Sequence, residues 1–177
     1  ANPIPDFSLF GDEGCPPLTV NFFNASESQV PLMYTWDFGD GQSSEEVNPT
    51  HQYSAPGVYD VSLVVTSSAG CTDEVNVSYQ DIINVYPTPT AGFESDLYTV
   101  SYLEPTVNIT NTSTGGTSCF YDFGDGAFTA DCNPTHDFED VGFLEVVQTV
   151  TNNFGCFDIA TVMITVEGHL FYAPNTF

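Results

Sequence analysis

Apolar and polar residues alternate along much of the chain. The clearest run lies between Val58 and Val65, where Tyr59, Val61 and Leu63 fall on the same side as Val65. A period of two places alternate side chains on opposite faces of a β-strand, so this run predicts a half-buried strand. No segment shows the period of a helix. Further strands are predicted near residues 5–10, 18–23, 31–38, 71–86, 91–98, 105–111, 117–123 and 156–167.

The alternating run has a second copy, in which Leu144, Val146, Gln148 and Val150 share one side. Gln148 interrupts the apolar side, so we expect this part of the second strand to be partly open to solvent. About seven short strands per copy, separated by turns, favour an antiparallel β-sandwich of immunoglobulin-like architecture. The predicted fold class is therefore all-β, with two tandem immunoglobulin-like antiparallel sandwiches.

An acidic turn with the sequence DFGDG occurs at Asp37–Gly41 and again at Asp122–Gly126. Each copy is followed by Asn-Pro-Thr-His, which ends at His51 or His136. The copies keep a constant spacing of 85 residues, and a fixed period of this length indicates two homologous domains. The motif residues are Trp36, Asp37, Gly39, Asp40, Gly41 and His51 in the first copy, and Tyr121, Asp122, Gly124, Asp125, Gly126 and His136 in the second.

The repeat also predicts the domain boundaries. We expect a sandwich at residues 1–86, a linker at 87–90, a second sandwich at 91–168, and the start of a following linker or sorting domain at 169–177. Pro87 and Pro89 favour an extended, semi-stiff linker. We expect domains joined in this way to form an elongated tandem that does not enclose a pocket.

The charged side chains of the chain are almost all acidic, with 24 Asp and Glu, no Lys and no Arg. Binding to nucleic acid or directly to an anionic membrane through a basic patch is excluded, because both need cationic side chains. The carboxylates can be neutralised only by histidine or by bound metal ions. A chain without Lys or Arg offers no site to trypsin-like proteases, which suits an extracellular protein. A compositional bias of an acidic or secreted proteome explains the same observation.

The chain contains five cysteines, an odd number, so intramolecular pairing leaves at least one over. Cys15 precedes a predicted strand and Cys71 opens the last strand of the same domain, so we expect a Cys15–Cys71 disulfide. Cys119 and Cys132 flank the second acidic turn and form the second expected pair. Cys156 is then expected to stay a small buried thiol. Small domains bury limited surface, so such disulfides would add a large share of their stability.

The acidic turn has two interpretations. As a folding element, it uses Gly41 and Gly126 for the positive φ of a tight turn, and its aspartates accept hydrogen bonds from local amides. Phe38 and Phe123 then point into the core. As a metal site, it would hold calcium, because calcium takes carboxylate and carbonyl oxygens. The ligands of that candidate site are Asp37, Asp40, Asp122 and Asp125.

The calcium interpretation has weak support from spacing, which differs from that of an EF-hand loop. A site near the linkers that uses Asp6 or Glu94 is equally compatible with the sequence. The folding interpretation needs no ligand, and calcium is the one cofactor that remains as an alternative.

The two histidines of the motif are interpreted as structural. A catalytic triad needs an activated nucleophile beside its base, and no serine or cysteine recurs beside both His51 and His136. Zinc needs three or four clustered His or Cys ligands, and His169 lies too far along the chain. We therefore expect no catalytic residue, and the chain is not predicted to be an enzyme.

Three motifs in fixed order, Trp36–Gly41, Asn48–Tyr53 and Gly57–Val65, resemble the signature of the polycystic kidney disease (PKD) domain. The second copy resembles the same family, with Tyr121, Phe138 and Leu144 at the positions of Trp36, Tyr53 and Tyr59. The resemblance implies immunoglobulin-like sandwiches in extracellular proteins, used as spacers or adhesive modules. It also implies calcium binding in some members that stand beside secreted hydrolases.

Residues 171–177 resemble the opening of the type B C-terminal sorting domain of the type 9 secretion system, found on large adhesins of gliding bacteria. This implies an extracellular location on the cell surface, outside the bacterial outer membrane. The implied partners are neighbouring domains of the same long chain, outer-membrane secretion or anchoring components, and a surface ligand.

These features predict a non-enzymatic structural and adhesive stalk module of a large cell-surface protein, an adhesin for attachment or gliding motility. One alternative is an accessory carbohydrate-binding or protein-binding module of a secreted hydrolase. Another is a repeat of a surface-layer or filament protein.

Overall fold

The computed structural model describes residues 3–67 and 74–168. The chain divides into two compact units, Ala1–Pro87 and Thr88–Phe177. Regular structure in the described residues is entirely β-strand, and each unit contains two sheets. This confirms the prediction of an all-β chain with two sandwiches. The segment 169–177, with the sorting-domain resemblance and His169, lies outside the described residues.

The longer strands of the two units match predicted segments. In the first unit they are β1 (Phe7–Phe10), β2 (Glu13–Gly14), β3 (Leu18–Asn24), β4 (Leu32–Asp37), β5 (Ser43–Ser44), β6 (Thr50–Tyr53), β7 (Gly57–Ser67) and β8 (Glu74–Val85). In the second they are β9 (Phe93–Ser95), β10 (Thr99–Ser101), β11 (Thr106–Asn111), β12 (Ser118–Asp122), β13 (Phe128–Thr129), β14 (Thr135–Asp137), β15 (Gly142–Thr151) and β16 (Phe157–Glu167). The short strands β2, β5, β10 and β13 have no predicted counterpart. Within residues 3–67 and 74–168, no helix has the length and apolar character required to cross a bilayer.

The first unit has one sheet in the order β1-β3-β6 and another in the order β2-β8-β7-β4-β5. Its strand pairs are antiparallel except β2 and β8, which run parallel. The chain leaves the first sheet through Gly11, whose φ of +88° is readily adopted by glycine, and enters the second sheet at Glu13. The sequence pattern did not predict β2, because two residues are too few to show alternation.

The second unit repeats this arrangement, with sheets in the orders β14-β11-β9 and β10-β16-β15-β12-β13. The short strand β10 again runs parallel to β16, with Thr99 beside Thr165. A parallel edge strand is therefore part of the repeat, and among the described strands all other pairs are antiparallel.

The core of the first unit lies where the inward sides of its two sheets meet. On β7 the predicted alternation holds, because Val61, Leu63 and Val65 are fully buried. Trp36 of β4 is also fully buried and contacts the ring of Phe7 edge-on, with centroids 5.1 Å apart. Burial of each large side chain contributes about 1.5–3 kcal/mol, so this cluster joins the two sheets.

The core of the second unit contains a polar residue. Gln148 is fully buried, so the expectation of an open strand end there is wrong. Its Nε2 donates to Asn111 Oδ1 at 2.9 Å and to the Tyr121 hydroxyl at 2.7 Å. Its Oε1 accepts from the Gly92 amide at 3.0 Å and from Ser113 Oγ at 3.1 Å. A buried amide is tolerated when its donors and acceptors are paired in this way.

A disulfide staples the second acidic turn. Cys119 of β12 and Cys132 form the expected bond, with their Cα atoms 5.3 Å apart. Closing a loop of this size contributes about 3 kcal/mol in the chain-entropy model. This bond holds the end of the turn against the strand that enters it.

The other cysteine predictions concern Cys156 and the pair Cys15 and Cys71. Cys156 is buried as expected, but it is disulfide-bonded, as is Cys15. The expectation of a thiol at Cys156 is therefore wrong, because an odd count shows that a cysteine is left over and not which one. The expected Cys15–Cys71 pair includes Cys71, which lies outside the described residues.

Candidate functional site

The first acidic turn is closed by its own polar atoms. The Phe38 amide donates to the Gln42 carbonyl at 3.2 Å. Asp37 Oδ1 accepts from the Gly39 amide at 2.9 Å, and Asp40 Oδ1 accepts from the Gln42 amide at 3.0 Å. Both carboxylates thus form Asx turns, in which a side chain replaces a backbone acceptor.

The histidine of β6 completes this turn. His51 Nε2 donates to Asp40 Oδ2 at 2.8 Å, since an ionised carboxylate can only accept. The His51 ring also packs edge-on against Tyr53, with centroids 4.7 Å apart. The Tyr53 hydroxyl in turn donates to the Phe38 carbonyl at 3.0 Å. The structure therefore brings Asp40 and His51 together, although 11 positions separate them in sequence.

The second acidic turn has the same bonds. Asp122 Oδ1 accepts from the Gly124 amide at 3.0 Å, and Asp125 Oδ1 accepts from the Ala127 amide at 3.0 Å. His136 Nε2 donates to Asp125 Oδ2 at 2.7 Å. Equal geometry in both units indicates that these contacts belong to the fold of each domain.

Two glycines of each turn have different roles. Gly39 and Gly41 have φ of +80° and +87°, and Gly124 and Gly126 have φ of +78° and +92°. A Cβ on Gly39 would overlap the backbone carbonyl oxygen of Asp60, whereas a Cβ on Gly41 would meet no atom within 4 Å. Gly39 therefore permits close approach of the turn to β7, and Gly41 supplies backbone conformation alone.

The large residue before each turn anchors the following loop. Trp36 Nε1 donates to the Glu46 carbonyl at 2.8 Å in the first unit. In the second unit, the Tyr121 hydroxyl donates to the Cys132 carbonyl at 3.2 Å. Different side chains thus satisfy a carbonyl of the same loop in the two units, at positions one residue apart in the repeat register.

The electrostatics of the turn stabilise the charged form of its second aspartate. Burial acts to raise the pKa of Asp40, but hydrogen bonds from His51 and from the Gln42 amide outweigh it and hold the pKa below its ordinary value. The pKa of Asp125 is lowered in the same way, against burial, by His136 and the Ala127 amide. Both aspartates are therefore acceptors for structural bonds at neutral pH.

The described residues contain no group of three or more His, Cys, Asp or Glu side chains arranged to hold a metal ion. Among the candidate calcium ligands, Asp37 and Asp122 cap their own loops, and Asp40 and Asp125 bind the adjacent histidines. Asp6, the alternative ligand, accepts from the Tyr79 hydroxyl at 3.0 Å through Oδ1. The carboxylate oxygens that would bind calcium thus accept hydrogen bonds within each unit.

Two structural groups were missed by the sequence analysis. One is the Tyr53 hydroxyl, which bonds the turn from within the core. The other is the network of Gln148, Asn111 and Tyr121. Comparison of the copies contains the signal for this network, because Trp36 and Leu63 of the first unit are replaced together by Tyr121 and Gln148.

Comparison with known proteins identifies the family. A model of the PKD domain matches residues 1–82 and again residues 84–166. The chain belongs to the PKD domain family. The two matches cover the two sandwiches, so each acidic turn is part of one PKD domain.

Related sequences occur in large bacterial enzymes. A microbial collagenase of Vibrio alginolyticus is 60% identical over 37 residues, covering 21% of this chain and 4% of the collagenase. The Bacillus cereus collagenase ColA is 49% identical over 45 residues, covering 25% of this chain and 5% of ColA. The pre-pro-metalloprotease PrtV of Vibrio cholerae is 38% identical over 79 residues, covering 45% of this chain and 8% of PrtV. The PKD tandem thus spans less than a tenth of the length of these relatives.

Solved PKD domains match single units of the chain. The PKD1 domain of Vibrio cholerae PrtV has 29% identity and a TM-score of 0.40, with coverage of 46% of this chain and 99% of that domain. The PKD1 domain of Vibrio anguillarum Epp has 36% identity and a TM-score of 0.39, with coverage of 49% and 98%.

Proposed function

We propose that this tandem of PKD domains is a non-enzymatic extracellular stalk module of a large bacterial surface adhesin that serves attachment or gliding motility. The main support for a non-enzymatic role is the hydrogen bonding of the two acidic turns. Asp40 and His51, which in sequence resemble a reactive pair, bond each other and their own loop. Asp125 and His136 form the same hydrogen bonds in the second unit.

The disulfide and the charge support the extracellular part of the proposal. Disulfides persist in oxidising compartments, and the Cys119–Cys132 bond staples a small domain. A formal net charge of −24 favours solubility and opposes binding to anionic surfaces. The resemblance of residues 171–177 to a type 9 sorting domain supports export to the outer surface and anchoring by outer-membrane components.

The test uses the bacterium that makes the chain. Antibodies against residues 3–67 should label intact cells, and in-frame deletion of both PKD domains should reduce attachment or gliding while the remaining protein is still exported. A label restricted to the culture medium, together with unchanged attachment after deletion, would remove support for the stalk.

A second candidate function is supported by the relatives. Because collagenases and a metalloprotease carry similar PKD sequences, the tandem is also a candidate accessory module of a secreted hydrolase. The purified chain should then be retained on insoluble collagen, chitin or cellulose. Retention on one of these polymers favours the accessory module, and recovery of all the protein in the unbound fraction favours the stalk.

A further inference from the structure

An apolar, aromatic surface lies on the second unit. On its five-stranded sheet, the side chains that alternate with the buried core residues point away from the core. We call this surface the outer face of the second unit, and its residues are Phe120, Asp122, Phe128, Val147, Phe157 and Ile159. Phe128 and Phe157 are 70% and 59% exposed, which is unusual for phenylalanine.

The strand register places Phe120, Asp122, Phe128 and Val147 close together, while Ile159 lies opposite Thr149, the partner of Phe120. Asp122 lies opposite Phe128 on one neighbouring strand and opposite Val147 on the other. Phe120 lies two positions before Asp122, on the same face of β12. The rings of Phe120 and Phe128 are near-parallel, with centroids 5.9 Å apart and planes inclined by 29°. The ring of Phe120, which is 46% exposed, the ring of Phe128 and the carboxylate of Asp122 are therefore contiguous.

The described residues of the first unit place no such rings at the corresponding positions. Thr35, Asp37 and Ser43 occupy the positions of Phe120, Asp122 and Phe128 in the same strand register. On the next strands, Asn76 and Glu74 replace Ile159 and Phe157. The fold thus forms without these apolar side chains, and only the carboxylate is common to both units.

The negative charge of the chain indicates that a partner at this surface is cationic. The chain has no Lys or Arg, so a cation above these rings and beside Asp122 has to come from another molecule. Asp122 Oδ1 caps the Gly124 amide at 3.0 Å, and the carboxylate itself is exposed. A guanidinium group suits this site best, because it stacks on aromatic faces and donates to carboxylates in one plane. A second copy of this chain is a poor occupant, since it supplies no cationic side chain except histidine.

We propose that the outer face of the second unit binds a protein segment that carries arginine beside apolar side chains. The arginine stacks on Phe120 and Phe128 and pairs with Asp122, while the apolar side chains cover Val147 and Ile159. Each exposed contact of this type is weak, so the segment engages several of them together. This binding site does not depend on the stalk function, because a stalk or an accessory module could carry it.

The test is an NMR titration of the full ¹⁵N-labelled chain. The probe is the peptide acetyl-Arg-Leu-Arg-Leu-amide, compared with its lysine and citrulline counterparts and with the neutral sugar cellohexaose. The arginine peptide should shift amides of β12, β13 and β15, bind about threefold or more tightly than the lysine peptide, and weaken at high salt. The citrulline peptide should cause no shift.

Matched variants locate the site. Phe120→Thr with Phe128→Ser, which introduces the residues of the first unit, should weaken binding about threefold or more. Asp122→Asn retains the loop-capping oxygen and should remove most of the salt dependence. Phe10→Ser, which removes a ring that is 75% exposed in the first unit, should leave binding unchanged.

Three results would overturn the proposal. They are equal binding of the arginine and lysine peptides across both units, the absence of any localised shift, and binding of cellohexaose at the same amides. The first indicates non-specific attraction to the acidic surface, and the last indicates a carbohydrate site. None of them bears on export or attachment, so the stalk proposal is tested separately.

Discussion

The imidazole of His51 lies flat against the phenyl ring of Phe38, with ring centroids 4.1 Å apart and planes inclined by 4°. Its Nε2 edge donates to Asp40 at 2.8 Å. One side chain thus satisfies a carboxylate and covers an apolar ring, which fastens the acidic turn to β6. His136 stacks on Phe123 in the second unit, with centroids 3.8 Å apart.

The stacking and the hydrogen bond of His51 can be separated by mutation. His51→Phe keeps a ring but leaves Asp40 Oδ2 with only the long bond from Gln42 Nε2, so the free energy of unfolding should fall by about 1–3 kcal/mol. His51→Ala also removes the stacked ring and should cost more. Urea unfolding followed by fluorescence measures this in the first unit, because Trp36 is the single tryptophan. The exposed control Gln52→Ala should change stability by less than about 0.5 kcal/mol, and similar losses in all three variants would contradict this role.

The two glycines of the turn predict unequal costs for the same substitution. Gly41→Ala places alanine at positive φ and should cost about 1–2 kcal/mol. Gly39→Ala has the same backbone cost and also forces Cβ against the Asp60 carbonyl, so it should lose a further 1–3 kcal/mol or so. Urea unfolding of both variants measures the difference. Equal destabilisation would show that the turn does not pack closely against β7.

Acid should weaken the turn through Asp40. Burial opposes its ionisation, but the bonds from His51 and Gln42 lower the pKa of Asp40 below its ordinary value. A group with a lowered folded pKa adds stability above its unfolded pKa, about 3.9, and loses it as the pH falls through the folded value. Asp40→Asn should therefore be less stable at pH 7 and lose less stability between about pH 4 and pH 2.

Unfolding curves at several pH values between 2 and 7 or so test this dependence. The control is Glu45→Gln, at an exposed position in the same loop. If Asp40→Asn kept the full acid dependence of the parent chain, the stabilising role assigned to the Asp40 carboxylate would be wrong.

In the polar core of the second unit, we expect an apolar substitution to lower stability. Gln148→Leu introduces the residue of the first unit, Leu63, and makes the core more apolar. It also leaves Asn111 and Tyr121 without one partner each, so the second unit should lose about 1–3 kcal/mol. Circular dichroism should show an earlier transition that tryptophan fluorescence does not follow. A gain in stability would show that the network is dispensable.

Much of this architecture could be predicted because it depends on local pattern. Alternation alone places Val61, Leu63 and Phe38 inward, and the Asp-Gly dipeptide predicts positive φ at Gly41. The requirement for glycine at position 39 could not be predicted, since it arises from a carbonyl on a strand distant in sequence.

The remaining errors have the same origin in long-range contacts. A single polar residue in an apolar pattern indicates exposure on average, and Gln148 is buried only because partners from other segments converge on it. Cysteine pairing is likewise decided by distance in space, so the bonded state of Cys156 was not evident from the count.

The central claim is that the acidic turn with its histidine is a folding device and not a metal or reactive centre. Calorimetric melting of the chain in EDTA, calcium chloride and zinc chloride tests it most directly, with the double variant His51→Phe/His136→Phe alongside. We predict that the Tm of the parent chain is the same in all three solutions and that the variant melts lower in each. A Tm that falls in EDTA and is restored by calcium or zinc, in the parent chain but not in the variant, would contradict the account.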